Sequence, residues 1–204
     1  MPTFVKTAVE KKNLPIETHP WPPFVPEGAR LLIMGTFPPS PKRWSMDFYY
    51  PNPTNDFWRI AGLVFLGDSM ALYDAAARRF RLDDVKALMT EHHIAMNDTC
   101  HRIRRLQGNA SDKFLEVVEP VHLENLLARM PHCSDIATTG EKAASVMAEL
   151  TCSEPPRMGE YVECEAFGRH LRVWRMPSTS RAYPLRLELK AEYYRKLWEA
   201  SGCM

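Results

Sequence analysis

Apolar residues fall along this chain in two rhythms. Leu31-Leu32-Ile33-Met34 is an unbroken apolar run closed by Gly35, the pattern of a short strand buried on both faces (about 30–35). A Pro-rich loop, 36–54, follows, and then Phe57, Trp58, Ala61, Val64 and Phe65 return at helical spacing over about 56–66. The spacing predicts two further helices, Ser69–Phe80 and Leu82–Glu91, the latter with Val85, Leu88 and Met89 on one face. His93-Ile94-Ala95-Met96-Asn97 reads as a second buried strand that carries Asn97 and Asp98 to its carboxyl end. The stretch from His101 to Asp112 is polar and reads as a basic loop. Leu123, Leu126, Leu127 and Met130 mark a helix, and Ile136–Thr139 a third buried strand. Thr138 and Glu141 have capping-box spacing for the helix behind them. Tyr161–Phe167 and Leu171–Met176 flank Gly168-Arg169 as a hairpin whose second strand joins the main sheet, and Pro184 opens a last helix with Leu189, Tyr193 and Leu197 in a stripe.

Strands alternating with helices in this way predict a three-layer α/β/α domain with a central, mostly parallel sheet. In such sheets ligands bind beyond the carboxyl ends of the strands. The two polar loops that leave buried strands, 36–54 and 177–183, are therefore expected to converge on one edge. Residues 1–28 hold Pro2, Pro15, Pro20, Pro22, Pro23 and Pro26 and are expected to run as an extended arm packed on a single domain, 29–204.

Composition narrows the class. The chain has 204 residues, 45% hydrophobic and 25% charged, as in an ordinary globular protein able to bury a core. A net charge of +1 leaves any nucleic-acid footprint to be local. Cys100, Cys133, Cys152, Cys164 and Cys203 form no CxxC pair, and His92, His93, His101, His122, His132 and His170 show no ligand spacing. This pattern gives no metal site and fits a reducing, cytoplasmic setting. No apolar run reaches the roughly 18 residues of a membrane span, and the N-terminus lacks the apolar core of a signal peptide.

The chemistry is expected in the first loop. Phe37, Trp44, Phe48, Tyr49 and Tyr50 are aromatics of a kind that stack planar heterocycles, or that plug a loop onto its sheet. Asn55 stands at a helix start, where an asparagine serves as N-cap or as an amide that orients water or a base. Asp47 and Asp56 are the neighbouring carboxylates, general bases or solvated charges, and Lys42 stays open as a nucleophile. The second site is Met176–Pro184: Ser178, Thr179 and Ser180 before a helix seat a phosphate or cap that helix, with Arg181 and Tyr183 beside them.

These motifs resemble the uracil-DNA glycosylase superfamily over about residues 29–198. Carrying the resemblance are GTFPPS after the first strand, FYYPNPTNDFWRI downstream, HIAMNDTCHRI and IATTGEKA in the middle, and MPSTSRA near the end. The match is to the branch of hypoxanthine-DNA and mismatch-specific (G:T/U) glycosylases. It implies a parallel four-stranded sheet in an α/β/α sandwich. The implied activity is monofunctional hydrolysis of the N-glycosidic bond of a damaged or mismatched base flipped out of DNA, as in base-excision repair, without a cofactor. By position, Gly35, Thr36, Phe37 and Pro38 form the water-activating turn, Tyr50 walls the base pocket, and Phe57 and Trp58 buttress it. Asn97 or backbone groups read the edge of the base, Ser178, Thr179 and Ser180 grip phosphate, and Arg181 and Ala182 stand at the gap left by the flipped base.

The chain also departs from its relatives. Mismatch-specific enzymes carry a catalytic asparagine where this chain has Phe37; in the hypoxanthine type the asparagine matching Asn55 takes that role. Thr54 stands in place of an arginine, Asn97 of a tryptophan, and Arg181 of a proline. The implied protein is a monomer acting on DNA and not on membranes. A non-catalytic nucleic-acid reader and a nucleoside or nucleotide hydrolase are the alternatives, and Arg102, Arg104, Arg105 and Lys113 are expected on the DNA side.

Overall fold

The computed structural model describes residues 14–107 and 112–204. In chain order the elements are β1 (Ile16–Thr18), β2 (Leu31–Gly35), α1 (Phe57–Leu66), β3 (Tyr73–Asp74), β4 (Arg79–Phe80), α2 (Leu82–Glu91), β5 (Ile94–Asp98) and β6 (Cys100–Arg105). Then follow β7 (Leu115–Pro120), α3 (Leu123–Ala128), β8 (Asp135–Thr139), α4 (Glu141–Thr151), β9 (Tyr161–Ala166), β10 (Arg169–Met176) and α5 (Leu187–Ala200).

The central sheet has the order β5-β2-β8-β10-β9, with β9 alone antiparallel. Every residue of β2, β5 and β8 is buried, the apolar run of β2 and also the polar ends of β5 and β8. Leu31 and Ile33 face a core built with α1, α2 and α5, while Leu32 and Met34 face one built with α3 and α4. The three layers are those the periodicity implies. The sheet is wider than the expected four strands because β9 pairs along β10 through a tight turn at Phe167-Gly168, both at positive φ.

Other local expectations are corrected. Residues 69–80 are not a helix: the Asp68 carboxylate accepts the Met70 N–H and that of Asp74 the Ala77 N–H, so both aspartates favour turns over helix. Leu72 and Phe80 anchor the resulting β3–β4 ribbon in the core. Of the stretch expected as a basic loop, residues 101–105 belong to β6, which pairs with β1 on one side and β7 on the other, and residues 108–111 lie outside the described part. Ile103 points inward while Arg102, Arg104 and Arg105 reach Glu119, Glu116 and Glu17 on the flanking strands. The Thr138 hydroxyl donates to the Trp174 carbonyl and caps nothing; α4 starts from Gly140 at φ 114°. Finally, α5 begins at Leu187, not at Pro184.

Of the N-terminal arm, residues 1–13 lie outside the described part. Farther on, β1 pairs with β6, and Phe24 bridges Met96 at the open edge of β5. This segment brings His19 and Trp21 to the carboxyl end of the sheet.

Candidate active site

β2 ends at Gly35 beside Asp98, its partner in the β5 register. A Cβ on Gly35 would stand 2.6 Å from Asp98 Oδ1 and 3.4 Å from the Tyr50 hydroxyl, so only glycine lets both groups close over the strand end. The turn is then tied down: Gly35 and Thr36 carbonyls accept the N–H groups of Thr99 and Cys100, and the Thr36 hydroxyl donates to Asp112 Oδ2 at 2.8 Å. Phe37 turns away, edge-on to the His19 ring at 5.6 Å and packed on the small core around Cys100 and Ile103. The Pro38 carbonyl accepts from Arg105.

Tyr50 is held at φ 51° with its ring stacked on Phe57, centroids 4.2 Å apart and planes within 13°. Its hydroxyl pairs with Thr139 Oγ1 at 3.0 Å, while the residue as a whole is only half-buried. Burial first, and then the Asp98 charge, push that hydroxyl well above the ordinary range, so it stays a neutral donor. Phe57 and Trp58 are fully buried behind it, and the Trp58 indole donates to the Tyr49 carbonyl. The stack on Phe57 holds the ring rigid.

Asn55 is not the N-cap of α1: that position belongs to Asp56, and Asn55, one residue earlier, closes a short turn with its side chain. Its Oδ1 accepts the Phe57 N–H at 2.8 Å, while its own N–H goes to the Asn52 carbonyl. A carboxamide oxygen has a second lone pair, and Asn55 Nδ2 donates to no group among the described residues. The amide is therefore oriented by this turn yet retains donor and acceptor capacity.

The two polar loops do converge. Asn55 bridges Ser180, and the Asp56 N–H donates to the Thr179 carbonyl. Asp56 is neither a base facing solvent nor a loose surface charge. Its carboxylate is buried against Lys190 Nζ at 2.8 Å, with Arg181 Nε at 3.4 Å, and Lys190 also donates to the Ser180 carbonyl. Lys190 is itself fully buried, a cation set in the apolar stripe of α5 beside Ala191 and Tyr194. Within the second loop Thr179 is buried; Ser180, Arg181 and Ala182 are exposed and Ser178 half-buried. Ser178 and Ser180 hydroxyls accept the N–H groups of Ser180 and Ala182, making a tight turn. The hydroxyls precede the first turn of α5 by several residues, so they do not sit at its N-terminus; Ser178 instead packs beside Gly140, the N-cap of α4.

Asn97 sits one residue before Asp98, with Oδ1 taking the Tyr49 hydroxyl at 3.1 Å. It lines a cavity of about 480 Å³ between the arm and α3, together with His19, Trp21, Asn125 and Arg129. Asp47 is exposed.

Sequence reasoning missed three groups. His19 Nε2 meets Asp98 Oδ2 at 3.0 Å, and its Nδ1 faces the Trp21 carbonyl at 2.9 Å. Burial disfavours the imidazolium, but the hydrogen bond and charge of Asp98 outweigh it and the His19 pKa rises. Asp112 is the second: burial raises its carboxyl above the ordinary range, and the Asp98 charge adds to this against the Thr36 hydrogen bond. The third is Lys190. None had a clear local signal: Lys190 stands between Glu188 and Glu192 on the last helix, Asp112 in a polar stretch and His19 in the Pro-rich arm. Among the described residues no cluster of His, Cys, Asp or Glu could hold a metal ion, and no helix is long and apolar enough to cross a membrane.

A parallel β5-β2-β8-β10 core with helices on both faces matches a uracil-DNA glycosylase-like fold. The chain is similar to a Methanosarcina acetivorans protein described as a "putative Uracil DNA glycosylase" and solved by solution NMR. The TM-score is 0.64 at 19% identity, over 92% of this chain and 99% of that one. No family model and no curated protein matches the chain.

Proposed function

We propose that the protein is a monofunctional DNA glycosylase that hydrolyses the N-glycosidic bond of a deaminated or damaged base, uracil or hypoxanthine, flipped out of DNA. The observation that carries this reading is the half-buried Tyr50 ring, stacked on Phe57 beside the Gly35 turn and followed by an Asn55 amide with spare hydrogen-bonding capacity.

In this reading the flipped base lies on Tyr50, and the end of β5, with Asn97 and Asp98, supplies the groups that read its edge. Asn55 holds a water for attack on the anomeric carbon as the bond to the base breaks. Its first lone pair is spent on Phe57, which fixes the amide plane, and its second accepts a hydrogen bond from that water. The base leaves as an anion and takes up a proton, and the water loses one, so the products are free base and an abasic sugar. Ser178, Ser180 and Arg181 hold the backbone around the extruded nucleotide.

The test is release of free base, followed by mass spectrometry, from oligonucleotides carrying one uracil or hypoxanthine and from free deoxyuridine and deoxyinosine. Release from the oligonucleotides supports the reading. Release from the nucleosides alone makes the protein a nucleoside hydrolase, and binding without release makes it a reader of altered DNA.

A further inference from the structure

The three arginines of the basic segment expected to meet DNA are paired. Arg102, Arg104 and Arg105 each face a glutamate on a neighbouring strand, and Arg105 also donates to the Pro38 carbonyl. A different set of cations is left open. Lys42 and Arg43, on the short turn Pro41–Arg43, and Arg78 and Arg79, at the tip of the β3–β4 ribbon, are exposed and join no ion pair among the described residues. All four line one open cleft of about 470 Å³, and no aspartate or glutamate lines it.

The cleft's position is fixed from beneath. Its floor includes Asn52, Pro53 and Thr54, the residues that lead directly into Asn55. Arg59, on α1, donates to the Pro53 and Asn55 carbonyls while its guanidinium lies 4.9 Å from the Tyr73 ring centre and 5.4 Å from that of Phe80. One side chain thus couples the ribbon that carries Arg78 and Arg79 to the turn that carries Asn55. Arg78 adopts φ 53°, the left-handed conformation that reverses the chain at the ribbon tip. Four cations without counter-charges in a polar cleft suit a partner with a regular series of single negative charges, such as the phosphodiesters of a nucleic-acid strand.

We infer that the cleft between the 41–45 turn and the β3–β4 ribbon is a DNA-backbone site, gripping phosphates of the strand whose nucleotide is presented to Asn55. This rests on the glycosylase reading and extends it, since it commits the bound strand to one side of the first loop.

The experiment measures affinity for a fluorescent duplex across a salt series for the wild type, Arg78→Ala/Arg79→Ala, Lys42→Ala/Arg43→Ala and Arg102→Ala/Arg104→Ala. Thermal unfolding checks that each variant is folded, and Arg78→Gln/Arg79→Gln keeps side-chain bulk should the alanine pair misfold. Each cation that grips a phosphate steepens the plot of log affinity against log salt by about 0.9, so either cleft pair should flatten it by about 1.8. The Arg102/Arg104 pair should leave the slope near wild type. Wild-type slopes in both cleft pairs would overturn the site even if the protein releases bases. A flattened slope in a protein that releases no base would keep the site and sink the glycosylase reading. Failure of the wild type to bind DNA would overturn both.

Discussion

Asn55 carries two duties that a pair of substitutions separates. Its Oδ1 accepts the Phe57 N–H at 2.8 Å, which satisfies the first free N–H of α1 from the residue before the Asp56 N-cap, and the rest of the amide is assigned to the attacking water. Asn55→Ala removes both. Loss of such a side-chain bond to a helix-start N–H costs about 1 kcal/mol, within a range of about 0.5–2, and in a domain of this size about 1 kcal/mol lowers Tm by about 2–4 °C. Asn55→Ser keeps a short side-chain oxygen that can take the same N–H, so its stability should stay within about 0.5 kcal/mol of the wild type. Serine does not, however, reproduce the planar amide beyond that bond. Removing one preorganised amide from an active site lowers the chemical step by about 10²–10³-fold, and both variants should show that loss in single-turnover base release. The assay pairs calorimetric Tm with the single-turnover rate at saturating enzyme. A serine variant with the wild-type rate would refute the catalytic assignment and leave Asn55 a turn former at the helix start.

Three further outcomes follow from the geometry. Gly35→Ala places a methyl 2.6 Å from Asp98 Oδ1, whose carboxylate is held by His19, and should cost about 1–3 kcal/mol by urea unfolding; an unchanged midpoint would show that the end of β5 yields freely. Lys190→Met strands the buried Asp56 carboxylate with only the more distant Arg181, a loss of about 3 kcal/mol or more, and Asp56→Leu with Lys190→Met should recover most of it; a double variant as weak as the single would contradict the pairing. The His19 pKa is raised above its ordinary 6.5 in the folded chain. Stability from its pair with Asp98 is therefore fully present below about pH 6.5 and fades as pH rises through the raised value. Urea midpoints of wild type and His19→Gln should differ most at low pH and converge as it rises, and a constant gap would remove the charged pair from the account.

The buried strands were legible because continuous apolar runs bounded by glycine or polar residues have few other solutions, and β2, β5 and β8 match them closely. The convergence of the two loops followed from strand direction alone. What failed was decided by partners distant in sequence. The run from Ser69 to Phe80 has helical composition, but two aspartates bind nearby N–H groups and Phe80 is drawn into the core. The arginines of β6 look like a polyanion site until Glu17, Glu116 and Glu119 are placed beside them, and two of those lie on a strand that periodicity did not reveal. Likewise Asp56 reads as a surface charge until Lys190, on the last helix, arrives in the core. His19 reaches Asp98 across 79 positions, and no local pattern marks it.

The most direct test of the central claim is formation of abasic sites. Full-length protein is incubated with labelled oligonucleotides that hold one uracil, hypoxanthine, xanthine or alkylated base, single-stranded and opposite each partner, then treated with hot alkali. The account predicts strand breakage at uracil or hypoxanthine, absent from undamaged controls and lost in Tyr50→Ala, which removes the platform over Phe57. Intact strands across the whole panel, from a protein that still binds the same DNA, would contradict it.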